Sequence, residues 1–145
     1  METCTFLVLD NEPDTLMLVE RHIKRALQKY NLAGRVVQVL CANIHQAEYA
    51  IRQAMEEGPV AVSTDYAFED ERQTPPPPNG ADLARWVKQQ YGDKVPIATH
   101  TNRHEDEARQ LFAGTCVRFF MGMTKESMAV EADIFVLNCY NSKPA

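Results

Sequence analysis

Three polar residues stand at the ends of short apolar runs, and together they could form one reactive site. Asp10, Asp65 and Thr101 follow apolar runs that begin near residues 6, 60 and 95. Such runs are typical of buried parallel strands, and open α/β sheets bind ligands beyond the carboxyl ends of their strands. Asn11 and Glu12, which directly follow Asp10, add further oxygen atoms. Carboxylates and a hydroxyl at these ends predict one shared site for a hard cation and an anion.

The elements that must position these residues alternate along the chain. Short strands are predicted at Thr5 to Leu9, Val36 to Cys41, Val60 to Thr64, Val95 to Thr99 and Val117 to Met121. Helices are predicted from Pro13, after a cap at Asn43, from about Ala81 to Tyr91, around Leu111 and around Phe135. Strands that alternate with helices at this spacing predict an α/β fold, with right-handed crossovers and a parallel sheet between helices.

The bulk properties disfavour two classes of partner. A length of 145 residues suits one domain with a sizeable core. The net charge of -5 and the isoelectric point of about 5.3 argue against nucleic acid, which needs a basic face. The most basic stretch, residues 21–25, falls on the outer side of an amphipathic helix. No apolar run reaches the roughly 20 residues of a membrane span. We therefore expect neither a nucleic-acid nor a membrane partner.

The cysteines and the N-terminal segment bear on localisation. Cys4, Cys41, Cys116 and Cys139 are widely scattered, without a CxxC pair or a metal-ligand spacing. We expect them to be reduced, mostly buried thiols. No signal peptide is recognisable, because a predicted strand begins almost at once. These features predict a cytoplasmic protein.

One connection is longer than its position requires. Residues 68–80 join the third strand to the third helix, where a few residues are enough. Residues 75–78 are four consecutive prolines, which favour a stiff polyproline II stretch. This Pro-rich loop is interpreted mainly as a rigid exposed spacer, with docking into an aromatic groove as the alternative. Because it follows Asp65 closely, it could also control access to the site.

Several short motifs together resemble the receiver domain of bacterial two-component response regulators. They are Leu9-Asp10-Asn11-Glu12-Pro13, Asp65, Asn79-Gly80-Ala81-Asp82-Leu83, the segment from Pro96 to Asn102, and Ala113-Gly114-Thr115. Each motif is weak by itself, but their order and spacing match the family over about residues 4 to 140. The resemblance implies a doubly wound, flavodoxin-like (βα)5 fold with strand order 2-1-3-4-5, formed by residues 1–145 as a single receiver-like domain.

The resemblance also implies a site. Asp65 matches the aspartate that accepts a phosphoryl group, and Thr101 matches the residue that contacts that group. A Mg²⁺ ion would be held by the side chains of Asp10 and Asp65, the Ala67 carbonyl and the residue at position 11. A sensor histidine kinase or a phosphotransfer protein would donate the phosphoryl group, and a downstream protein would receive the signal. The chain would then be a signalling domain and not an enzyme.

Two departures from the family pattern affect that site. Asn11 replaces a second acid, so Mg²⁺ affinity should be low unless Glu12 turns inward to compensate. The family's Lys-Pro pair aligns with Met121-Gly122 or with Gly122-Met123, and neither alignment supplies an ammonium group. Lys125 is the nearest candidate for a displaced switch lysine, although a lysine that opens a helix more often points to water.

These departures leave two functions open. The first is a phosphorylation-dependent switch; the second is a pseudo-receiver that binds partners without phosphorylation. A phosphatase of the haloacid dehalogenase type is disfavoured, because the second Asp of its motif would come two positions late, at Asp14. The apolar fifth helix suggests a homodimer through the face formed by the fourth helix, fifth strand and fifth helix. His100 is expected to have a mainly structural role.

Overall fold

The computed structural model describes residues 4–67, 74–75, 77–101, 103–121, 125–137 and 139, with Lys125 described at its backbone only. The strands are β1 (Cys4–Leu9), β2 (Val36–Cys41), β3 (Val60–Thr64), β4 (Ile97–His100) and β5 (Val117–Met121). The helices are α1 (Pro13–Lys29), α2 (Ile44–Glu57), α3 (Gly80–Tyr91), α4 (Glu105–Leu111) and α5 (Lys125–Val136). Strands and helices alternate along the chain, as predicted.

The strands form one parallel sheet in the order β2-β1-β3-β4-β5. This order confirms the predicted doubly wound topology. Strand order reverses between β1 and β3, so the carboxyl ends of these two strands flank the expected ligand crevice.

The register of the sheet aligns the strand ends that precede the site. Leu9 pairs with Thr64, and Thr64 pairs with Thr99. The next residue on each of these three strands extends the row: Asp10, Asp65 and His100. The fold therefore brings these side chains to one edge of the sheet.

Each face of the sheet is covered by a separate apolar layer. Phe6 and Val8 face α1 and α5, while Leu7 and Leu9 face α2 and α3. All four side chains are completely buried. This double burial explains why β1 is a continuous apolar run instead of an alternating one.

Helices α1 and α5 are joined on one face of the sheet. The Phe6 and Phe135 rings meet edge to face with centroids 5.3 Å apart. At the surface, the Asp133 carboxylate accepts hydrogen bonds from Lys29 Nζ at 3.0 Å and from an Arg25 nitrogen at 3.4 Å. The first helix and α5 thus enclose the same part of the core.

Local sequence signals bear on the start of α2 and on the bounds of β4. The Asn43 side chain caps α2 by accepting a 2.9 Å hydrogen bond from the Gln46 backbone N–H, as predicted. Strand β4 begins two residues later than predicted and continues one residue further, to His100. Pro96 has no N–H to give to the sheet, although its carbonyl still accepts from the Val62 N–H at 3.0 Å.

Several other sequence predictions can be compared with the described residues. The four cysteines are buried thiols that form no disulfide, as expected. Arg21, Lys24 and Arg25 are exposed, which agrees with a solvated helix face. None of the described helices combines the length and the apolarity that a membrane crossing requires. Much of the Pro-rich loop, residues 68–73 and 76, lies outside the described part of the chain, so its conformation stays a prediction.

Candidate functional site

The Asp10 carboxylate is almost fully buried and both of its oxygens are engaged. The residue is 1% exposed at the end of β1. Its Oδ1 accepts a 2.8 Å hydrogen bond from the Glu12 backbone N–H. Its Oδ2 lies 3.0 Å from His100 Nε2. Asp10 is therefore held in one orientation from two sides.

A hydrogen-bonded chain crosses three neighbouring strands at this point. Ser63 Oγ lies 2.7 Å from His100 Nδ1, and His100 Nε2 contacts Asp10. A carboxylate only accepts, so Nε2 donates to it, and Nδ1 of a neutral ring then accepts from the Ser63 hydroxyl. Ser-His-Asp chains also occur in hydrolases, but Ser63 is completely buried, and a substrate cannot reach its hydroxyl.

The contact between His100 and Asp10 is the main feature that sequence reasoning missed. A signal for it was available, because His100 is two residues beyond Ala98, which pairs with Ser63. Alternate residues on a strand share a face, so His100 and Ser63 project to the same side of the sheet. Asp10 is likewise two residues beyond Val8, which also pairs with Ser63. Strand order and register were needed to combine these facts.

Asp65 differs from Asp10 in being only half-buried. Its backbone N–H continues the sheet by donating to the Leu9 carbonyl at 3.0 Å, and its Oδ1 accepts from the Tyr66 N–H at 2.7 Å. Burial, followed by the nearby Asp10 charge, raises the pKa of the Asp65 carboxyl above its ordinary value. Hydrogen bonds from the Tyr66 backbone and the Thr101 side chain, together with His100, act in the opposite direction. The site is thus a partly accessible carboxylate beside a buried one.

Thr101 lies directly after β4 and is 6% exposed. Its hydroxyl is one of the groups that lower the pKa of the Asp65 carboxyl, and it accepts a hydrogen bond from the Arg103 backbone N–H at 3.3 Å. The structure therefore brings Asp10, Asp65 and Thr101 to one edge of the sheet.

The start of α3 is fitted closely against Asp65. The Gly80 N–H donates to the Tyr66 carbonyl at 2.6 Å. A Cβ atom at Gly80 would lie 2.0 Å from the Asp65 carbonyl oxygen, so only glycine fits at this approach. Before it, Asn79 and Asp82 form a reciprocal capping box. The Asn-Gly pair thus fixes the backbone that carries Asp65.

Tyr66, the residue that follows Asp65, contacts two further side chains. The Arg103 guanidinium lies 4.8 Å from the centre of the Tyr66 ring. The Tyr66 hydroxyl accepts a 3.2 Å hydrogen bond from the Asn79 amide. Arg103 also contacts Glu107 at 2.9 Å. The Arg103 guanidinium is thus held over the ring of the residue that follows Asp65.

Three of the remaining predicted site residues lie close in sequence to Asp10 or Asp65. Asn11 and Glu12 are exposed, and Ala67 is half-buried at the end of a described segment. Met121 ends β5 as a buried apolar residue that pairs with His100. Residues 122–124 and the side chain of Lys125 lie outside the described part, so the displaced lysine stays a prediction.

The donor atoms suit a hard cation better than a soft one. Asp10 and Asp65 supply carboxylate oxygens, and Asn11 and Ala67 carry amide and carbonyl oxygens close to them in sequence. Among the described residues, no group of three or more His, Cys, Asp or Glu side chains could hold a metal ion. A divalent ion held by Asp10 and Asp65 would therefore need the neutral oxygens and several water molecules as its other ligands.

Comparisons with known proteins identify the fold. No protein-family model matches the sequence, and no curated protein matches it either. Among solved structures, the response regulator of Cytophaga hutchinsonii is 14% identical with a TM-score of 0.69, over 98% of this chain and 100% of that one. The signal receiver domain of the response regulator NarL from Mycobacterium tuberculosis is 20% identical with a TM-score of 0.61, over 99% and 100%.

A third similar structure contains a metal. The response regulator TrrA of Thermotoga maritima, in complex with Mg²⁺-BeF, is 15% identical with a TM-score of 0.62, over 93% of this chain and 99% of that one. These matches cover nearly the full length of both partners at low identity, so the likeness concerns the arrangement of the elements. Together with the strand order and the acidic cluster at the sheet edge, they establish that the chain has the fold of a response-regulator receiver domain.

Proposed function

We propose that the chain is a phosphorelay receiver that accepts a phosphoryl group on Asp65 and signals through protein contacts. The observation that carries this proposal is the contrast between the two aspartates. Asp65 is half-buried at the carboxyl end of β3, whereas Asp10 is 1% exposed and both of its oxygens are engaged. Only Asp65 is accessible enough to attack a large phosphodonor.

The reaction requires little of the protein beyond positioning and charge. A carboxylate oxygen of Asp65 bonds to phosphorus, and the bond from phosphorus to the donor nitrogen or oxygen breaks. The leaving group keeps the electron pair and takes up a proton, and Asp65 becomes an acyl phosphate. The Tyr66 backbone N–H, 2.7 Å from Oδ1, orients the carboxylate during this attack. The Thr101 hydroxyl, which acts on the pKa of the Asp65 carboxyl from the same edge of the sheet, would then contact the phosphoryl group.

A weakly bound Mg²⁺ would be held by Asp10, Asp65, Asn11 and the Ala67 carbonyl. When bound, the ion would neutralise charge that develops on the transferring phosphoryl group. Asn11 contributes no charge to this set. Glu12 is exposed and contributes to the site through its backbone, whose N–H donates a hydrogen bond to Asp10.

The signal would leave the site through Thr101. The Arg103 backbone N–H bonds to the Thr101 hydroxyl at the start of the segment that leads into α4. A cavity of about 160 Å³ lies between this segment, β5 and α5, with Thr101, Phe120 and Ser127 among its lining residues. Repacking of this cavity would change the surface of α4, β5 and α5. We propose that a downstream protein, or a second copy of the chain, binds there.

The expected donors are a sensor histidine kinase or a phosphotransfer protein, and the expected location is the cytoplasm. The chain would act as a signalling domain and not as an enzyme, with at most self-catalysed phosphotransfer and dephosphorylation. A pseudo-receiver that needs no phosphorylation is the second candidate. The burial of Met121 at the end of β5, where the resemblance expects an ammonium group nearby, favours it.

Intact-mass spectrometry tests the proposal. The protein is incubated with Mg²⁺ and acetyl phosphate, beside Asp65→Asn and beside Asp93→Asn, which changes an exposed carboxylate remote from the site. We expect one phosphoryl adduct on the wild type and on Asp93→Asn, and none on Asp65→Asn. Absence of an adduct from the wild type, together with no stabilisation by Mg²⁺ and beryllofluoride, would favour the pseudo-receiver.

A further inference from the structure

The buried carboxylate of the site already has a partner within the protein. Asp10 Oδ2 faces His100 Nε2 at 3.0 Å, and the His100 side chain has no exposed surface. The ring is fixed at its other nitrogen by Ser63 at 2.7 Å. A ring held at both nitrogens in a closed core cannot easily turn away from Asp10.

His100 lies beside the strand end at which the family's lysine would be expected. His100 pairs with Met121 across β4 and β5, and Met121 is one of the positions that align with the family's lysine. The strand Val117–Met121 carries no lysine, and its single cation, Arg118, is exposed. Among the side chains that the structure describes, a nitrogen donor therefore reaches Asp10 from β4, and β5 itself supplies none.

We propose that His100, positioned by Ser63, is an internal partner of Asp10 that competes with a divalent cation for this carboxylate. The inference rests on the proposed function, in which Asp10 is one of the cation ligands. His100 is a positioning residue and is not assigned to the phosphoryl-transfer step itself.

The competition follows from the geometry at Oδ2. A metal ion at this oxygen would lie close to the Nε2–H group, whose positive end points at the same oxygen. Oδ1 is also engaged, by the Glu12 N–H at 2.8 Å. The ion must therefore share Asp10 with two donors or displace one of them. A displaced His100 would leave a buried nitrogen without a partner, which is unfavourable.

The test is the dissociation constant of Mg²⁺, and of Mn²⁺ as a second probe, measured by calorimetry on the full chain. His100→Leu removes the donor while keeping similar bulk. His100→Gln keeps an N–H group near the same place and is the matched control. A hydrogen bond to a charged group contributes enough free energy that we expect His100→Leu to bind the cation about tenfold more tightly than the wild type. This factor corresponds to about 1.4 kcal/mol. His100→Gln should remain close to the wild type.

Ser63→Ala is the second variant, in case His100→Leu does not fold. It removes the anchor of the ring and leaves the packing nearly unchanged, so cation binding should tighten by a smaller factor, about threefold. Asp10→Asn should weaken binding in every background. Equal or weaker binding by His100→Leu and by Ser63→Ala overturns the proposal, and so does the absence of measurable binding in all variants.

The same proteins distinguish this inference from the proposed function. Tighter cation binding by His100→Leu, with no phosphoryl adduct on the wild type, supports the competition and refutes the phosphoacceptor role. A phosphoryl adduct on wild-type Asp65 with unchanged cation affinity in the variants refutes the competition alone.

Discussion

Replacement of Gly80 by alanine tests how tightly α3 is fitted to the phosphoacceptor candidate. The added Cβ would lie 2.0 Å from the Asp65 carbonyl oxygen, 3.0 Å from its carbon and 3.2 Å from Thr64 Oγ1. Two of these three neighbours are backbone atoms of a strand end, which cannot move aside as a flexible side chain can. Either α3 or the Asp65 backbone must therefore shift.

The magnitude follows from two opposing effects. Overpacking typically lowers the free energy of unfolding by about 1–3 kcal/mol. Because the added Cβ meets backbone atoms, we take the upper value, about 3 kcal/mol, for Gly80→Ala. Against this, alanine is favoured over glycine by at most about 1 kcal/mol, the value for a helix interior, because Gly80 is the first residue of α3. The net loss is about 2 kcal/mol in the free energy of unfolding. For a chain of 145 residues, this is a fall of roughly 6 °C in melting temperature.

Gly34→Ala is the matched control, because a Cβ at Gly34 has no atom within 4 Å. It should be neutral or stabilising by up to about 1 kcal/mol, since alanine restricts the unfolded chain. Calorimetry gives both melting temperatures, and the rate of adduct formation with acetyl phosphate reports the position of Asp65. We expect Gly80→Ala to be slower as well as less stable. A Gly80→Ala protein as stable and as reactive as Gly34→Ala would refute the close approach.

Two further substitutions, the second with a control variant, have expected outcomes. Asp65→Asn should be more stable than the wild type at neutral pH, because a raised pKa in the folded state means that folding disfavours the charged carboxylate. This advantage should vanish as the pH falls below the ordinary pKa of an aspartate, as followed by urea titration; an advantage that grows in acid would contradict the cause given. Asn79→Ala should cost about 1 kcal/mol through loss of the capping box and should slow adduct formation. Asn43→Ala removes a cap remote from the site and should cost a similar amount without changing that rate; equal rates for the two variants would contradict the role of Asn79.

The strands and helices could be predicted from sequence because their signals are local, whereas the strand order came from the resemblance to receiver domains. The predicted bounds of β2, β3 and β5 match the structure, and the Asn43 cap was recognisable from one residue type followed by helical spacing. Asp10, Asp65 and Thr101 were identified because each ends an apolar run. The bounds of β4 were less accurate, since Pro96 is apolar but cannot donate to the sheet.

The inner contacts of the site could not be predicted in the same way. The link from Ser63 through His100 to Asp10 joins residues that are 37 and 90 positions apart. Its existence depends on the register of three strands and on side-chain rotation, neither of which a single sequence records. The fit of Gly80 against Asp65 is similar, because Gly80 was recognised only as part of a family motif and its spatial neighbour could not be inferred from that.

The packing of α5 on β1 has a consequence for how the protein is made. Phe6 leaves the ribosome well before its ring contact, Phe135, which lies far later in the sequence. Until α5 has emerged, one face of the nascent sheet is covered by α1 alone, because the buried layer around Phe6 and Val8 also includes Met128, Ala132 and Phe135 of α5. At about 5–20 residues per second, synthesis of the intervening chain takes on the order of 10 seconds. During that interval, the exposed apolar face is a natural target for chaperones and proteases.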